Sequence, residues 1–122
     1  MANEHRAKGI EMFNEVYCND LLQPPETGKD RFFDYMLDTV FGQLWADETL
    51  SIRDRRLLLL GAIAALGEDM TFTIQARSAL KRGEIDREQL HEIVTFLTAY
   101  VGYPRGAKMR MAIQTMLAQM EK

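Results

Sequence analysis

The chain has 122 residues, 47% of them hydrophobic and 27% charged, with a formal net charge of −3. That length predicts a single domain over residues 1–122, with a core modest enough that about two-thirds of the unfolded surface is buried. The acidic balance argues against a dedicated nucleic-acid binder, which needs a basic footprint, and the lack of any apolar run of ~20 residues excludes a membrane-spanning helix.

In chain order, the N-terminus MANEHRAKG lacks the apolar core of a secretory signal. Ile10, Phe13 and Tyr17, flanked by Met12 and Val16, then repeat at helical spacing. The single cysteine, Cys18, excludes an internal disulfide and any CxxC pair, and a reducing, cytoplasmic setting is expected. On the amphipathic first helix Cys18 reads as a small apolar filler, with a reactive thiol as the alternative. His5 and His91 are distant from each other and from Cys18, so no metal site is expected.

LLQPPETG, from Leu21 to Gly28, breaks the first helix, because a Pro24-Pro25 pair does not fit inside one. A second helical run carries Phe32, Phe33, Met36, Leu37, Val40, Phe41 and Leu44. Ala46–Leu50 is a polar connector, and Ser51 then reads as an N-cap. The helix from Ile52 to Leu66 is apolar almost all round, which predicts burial on every face and an excess apolar face for a partner copy. Gly67 stops it.

The next helix should run from about Asp69 to Arg82, with Lys81 and Arg82 at its negative end and Gly83 as its stop. Asp86 caps a helix whose stripe is Leu90, Ile93, Val94, Leu97 and Val101, with Gln89 at capping-box spacing. Gly102 closes it, and Pro104 opens a last helix striped by Met109, Ala112, Ile113, Met116, Leu117 and Met120. No segment alternates like a strand, so the class is all-α.

Five motifs stand in a telling order. They are Phe41, Gly42 and Trp45; LSIRDRRL from Leu50 to Leu57; AALG from Ala64 to Gly67; RSAL with Gly83, from Arg77; and AYVGYPRG from Ala99 to Gly106. Their order and spacing resemble the carboxymuconolactone decarboxylase family. The resemblance implies the alkyl hydroperoxidase D-like fold, built on a buried helical hairpin and assembled as a trimer or hexamer. It also implies chemistry without a cofactor.

One branch of that family resembles alkyl hydroperoxidase D, with a Glu followed by a Cys-x-x-Cys-x-x-x-His motif. Those positions fall here on Arg56, Glu68, Thr71 and Gln75, so disulfide reduction of the usual kind has no thiols to use. The other branch removes CO2 from a small carboxylated lactone in aromatic catabolism. It usually has His at the position of Gln75 and often Glu at that of Thr71, and a neutral amide does not titrate.

Under the lyase reading Arg53 and Arg56, at i, i+3, would clamp a substrate carboxylate, and Glu68, or else His91, would supply the proton. Thr71 and Gln75, four apart, would line the pocket with Trp45 and Tyr103. The bland alternatives are a solvated charge cluster for Arg53 and Arg56 with Asp54, a helix-start charge for Glu68, a surface His91, and core or interface roles for Trp45 and Tyr103. Three functions stay open: a divergent lyase, a binding or scaffold member that lost catalysis, and a peroxidase partner using Cys18 across a subunit interface.

Overall fold

The computed structural model describes residues 2–121, and every regular element over them is helical. Helix α1 spans Ala2–Val16 and α2 Arg31–Tyr35; a π-helical segment, Met36–Trp45, continues α2. Next come α3 (Ile52–Leu66), α4 (Asp69–Lys81), α5 (Arg87–Val101) and α6 (Tyr103–Met120). The described residues form two compact units that divide at the Arg55–Arg56 boundary inside α3. No described helix is long and apolar enough to cross a membrane.

In the first unit α1 packs along the π-helical segment. Phe13, Phe41 and Trp45 are buried there, with Phe13 edge-on to Phe41 and Phe41 stacked on Trp45 at 6.2 Å. Sequence periodicity predicted one continuous helical run over Phe32–Leu44. The structure instead widens it into a π-helix after Tyr35. Two side chains enter its hydrogen-bond ladder: the Thr39 hydroxyl donates to the Tyr35 carbonyl (2.6 Å), and the Gln43 amide donates to that of Asp38 (3.0 Å). The Gly42 Cα also lies against the His5 carbonyl, where a Cβ would clash far inside contact distance, and Gly9 meets the Leu37 carbonyl in the same way.

The Pro24-Pro25 loop is tied down by Arg6. Its Nε donates to Asp34 Oδ1 at 2.8 Å and its Nη2 to the Pro25 carbonyl at 2.7 Å, while Asp34 Oδ2 accepts the Gly28 N–H. Helix α1 ends on a Schellman turn, in which the Asn19 N–H reaches the Asn14 carbonyl and the Cys18 N–H the Glu15 carbonyl. Cys18 holds the left-handed position of that turn, at φ 57°. A side chain there costs about 1–2 kcal/mol relative to glycine. Cys18→Gly should therefore raise the unfolding free energy by about 1 kcal/mol, read from its urea midpoint; an unchanged or lower midpoint would contradict this.

In the second unit the core is formed by Leu60, Ile63 and Ala64 of α3, Phe72, Ala76 and Ala79 of α4, and the inner faces of α5 and α6. Both stops expected at Gly67 and Gly83 are Schellman turns, at φ 72° each. The Glu68 N–H reaches the Ile63 carbonyl, and the Glu84 N–H that of Ala79. Asp86 and Gln89 form a complete capping box on α5. Within the single chain α3 is not covered on every face, and it leaves the kind of excess apolar face expected for a partner copy. Leu58 is 66% and Leu66 79% exposed, and with exposed Ala62 and Ala65 they make one apolar stripe along the helix.

Candidate functional site

Arg56 lies on the buried face of α3 with Leu60, Ile63 and Ala64, and it is only 1% exposed. A guanidinium cannot shed its charge, so burial at that level requires partners. Gln75 is buried on α4 between Phe72 and Ala79, and its Oε1 accepts from Arg56 Nη1 at 2.7 Å. The other edge of the guanidinium meets Glu84. Arg56 Nε donates to Oε1 at 3.0 Å and Nη2 to Oε2 at 3.2 Å, a forked pair. Arg82 adds a second cation, its Nε donating to Glu84 Oε2 at 2.7 Å.

Local folding explains why a residue just past α4 faces inward. The left-handed Gly83 reverses the chain and hydrogen-bonds Glu84 back onto the last turn of α4. Ile85, buried beside it, anchors the reversed segment. The result is a cluster of two guanidiniums, one carboxylate and one amide packed into the second unit. Neither Arg56 nor Gln75 changes charge at any physiological pH, so this pair holds no proton to transfer.

The remaining sequence-derived candidates lie apart from that cluster in burial. Arg53 is exposed in the first turn of α3. Glu68 is exposed and caps α4, its carboxylate accepting the Met70 N–H at 3.0 Å. Thr71 is exposed one turn before buried Gln75. His91 is exposed on α5, and its carbonyl accepts from the Thr95 hydroxyl. Trp45 is buried against Phe41 in the first unit, whereas Tyr103 is 80% exposed at the start of α6. Phe72 is wholly buried and Met70 is 70% exposed. Among the described residues no group of three or more His, Cys, Asp or Glu is placed to hold a metal ion.

Sequence reasoning pairs Arg56 with Arg53 and misses Glu84 and Arg82. No local spacing signals a partner 28 residues away. The one hint is Glu84 itself, an acid directly after a helix-ending glycine and directly before an apolar residue.

Comparison with known proteins agrees with the fold. A model described as the carboxymuconolactone decarboxylase family matches residues 30–114. The chain is also similar to a 4-carboxymuconolactone decarboxylase of Acinetobacter baylyi (strain ATCC 33305 / BD413 / ADP1). The two are 25% identical over 118 residues, covering 92% of this chain and 87% of the relative.

Proposed function

The chain belongs to the carboxymuconolactone decarboxylase family, and on that footing we propose that it is a binding or scaffold member whose central acid–base pair has become a structural ion cluster. The observation that carries this reading is the hydrogen bond between Arg56 and Gln75, completed by the forked bond to Glu84. At the two positions where the hydroperoxidase-like branch would place its carboxylic acid and its imidazole, the chain has a permanent cation and a neutral amide. General acid catalysis needs a group that gains and loses a proton near neutral pH, and these two do not. Arg56 is also engaged by an internal carboxylate, so a substrate carboxylate would have to displace Glu84 to reach it.

A second reading, a cofactor-free lyase acting on a small carboxylated lactone, is favoured by the similarity to the Acinetobacter enzyme. In it Glu68 delivers the proton, with Thr71 and Gln75 as lining residues. One assay separates the readings: CO2 release from 4-carboxymuconolactone by the wild type, Glu68→Gln and Gln75→His. The binding reading expects no wild-type turnover above the uncatalysed rate. Wild-type turnover that falls at least about a hundredfold in Glu68→Gln, as removal of a general acid does, establishes the lyase instead.

The exposed Leu58–Leu66 stripe on α3 supports assembly with copies of itself, as a trimer or hexamer. Leu58→Glu should then reduce the mass measured by sedimentation to that of a single chain.

A further inference from the structure

Apart from the Arg56 cluster, α5 and α6 border a groove of about 320 Å³, lined by Val94, Thr95 and Thr98 on one side and Tyr103, Ala107 and Arg110 on the other. Its volume is at the small end for ligand sites, which suits a ligand of few atoms. Helical spacing puts Tyr103, Ala107 and Arg110 on one face of α6, with the first and last roughly 10 Å apart along the axis. Gly106 also borders the groove. A Cβ on it would clash with the Thr98 hydroxyl, so the two helices meet side chain to backbone there and the groove has a preformed wall.

The chemistry of the lining is one-sided. The Thr98 hydroxyl donates to the Val94 carbonyl at 2.7 Å and that of Thr95 to the His91 carbonyl at 2.9 Å, so both protons are used within α5. The side-chain donors left to a ligand are the Tyr103 hydroxyl and the Arg110 guanidinium. Among the described residues Arg110 makes no hydrogen bond or ion pair, and no acidic side chain lines the groove. The cleft between α4 and α6 differs on both counts: it contains Asp69, and its Arg77 has another interaction.

We infer that the α5–α6 groove binds a small carboxylate with a flat apolar body. Arg110 takes the carboxylate through its forked donors. Val94 and Ala107 cover the body, and the Tyr103 ring closes the far end. This goes beyond the function proposed above, because it assigns nothing to Arg56 or Gln75.

Benzoate is a suitable probe and benzamide its neutral counterpart, each titrated into the full chain while backbone amide resonances are followed. Benzoate should produce saturable shifts at residues 94–98 and 106–110. Benzamide, or benzoate with Arg110→Gln, should bind at least about tenfold more weakly, the effect of losing a charge-assisted hydrogen bond. Arg110 is exposed, so Arg110→Gln should fold normally, and its melting curve checks that. Ala107→Leu should also weaken benzoate, by filling the groove with Arg110 intact. Absence of saturable shifts, equal affinity for the two probes, or shifts centred on Arg56 and Gln75 would each overturn the inference. None of these outcomes depends on CO2 release.

Discussion

Replacing Glu84 with leucine should lower the unfolding free energy by about 3–5 kcal/mol, the cost of stranding a buried cation whose partner has gone. Arg56 is 1% exposed and cannot lose its proton, and the carboxylate that accepts from its Nε and Nη2 has an exposure of only 5%. Without Glu84 the guanidinium keeps only part of its hydrogen bonding. The double variant Arg56→Met/Glu84→Leu should recover most of that loss, because two apolar groups of similar bulk replace both charges. Part of the loss should persist, because Gln75 Oε1 gives up its hydrogen bond from Arg56 Nη1. Arg82 is 27% exposed and turns to solvent at little cost. Urea unfolding of the wild type, the single variants Arg56→Met and Glu84→Leu, and the double variant gives the coupling directly. Additive losses in the double variant would mean that Arg56 and Glu84 are not energetically linked.

Alanine at Gly9 or Gly42 should destabilise the first unit by at least about 1–3 kcal/mol, the usual cost of forcing extra atoms into a filled contact. The sign is what makes the test sharp. Inside a helix, glycine to alanine ordinarily gains roughly 1 kcal/mol. At these positions the new Cβ meets rigid backbone, the Leu37 carbonyl for Gly9 and the His5 carbonyl for Gly42. Neither can swing aside as a flexible side chain would, so α1 and the π-helical segment would have to separate. Gly61 in α3 is the internal control, since its Cβ would lie 3.7 Å from Leu97 Cδ2, an ordinary contact. Gly61→Ala should be neutral or stabilising. Equal stability of Gly42→Ala and the wild type would show that the two helices are not held so closely.

The helix ends were legible because their signals are local. Gly67 and Gly83 stop helices in left-handed conformation, and Asp86 with Gln89 forms a box spanning four residues. The π-helix was not legible. Leu37, Phe41 and Trp45 recur every fourth residue, which suits an α-helix equally well, and the widening accompanies a tertiary contact between Gly42 and the His5 carbonyl. Of the candidate site, Arg56 and Gln75 are each singled out by their matched positions, but no spacing pairs them with each other. Their contact with Glu84 depends on a chain reversal whose direction no spacing reveals. Composition marked α3 as having an excess apolar face, but an all-apolar sequence does not say which face a single chain leaves uncovered.

The π-helical segment also affects how this chain tolerates changes in length. An i→i+5 ladder holds one more residue between donor and acceptor than the i→i+4 ladder of an α-helix. Excision of one exposed residue, such as Gln43, shortens the ladder bonds that span it to the i→i+4 pattern of an α-helix. The cost is phase: each residue removed turns the downstream helix by roughly 100° about the axis, carrying Trp45 off the Phe41 ring. An insertion in the same place has no such ladder to fall back on. This short stretch should therefore accept a single-codon loss more readily than a single-codon gain, with the aromatic stack, not the backbone, bearing the damage.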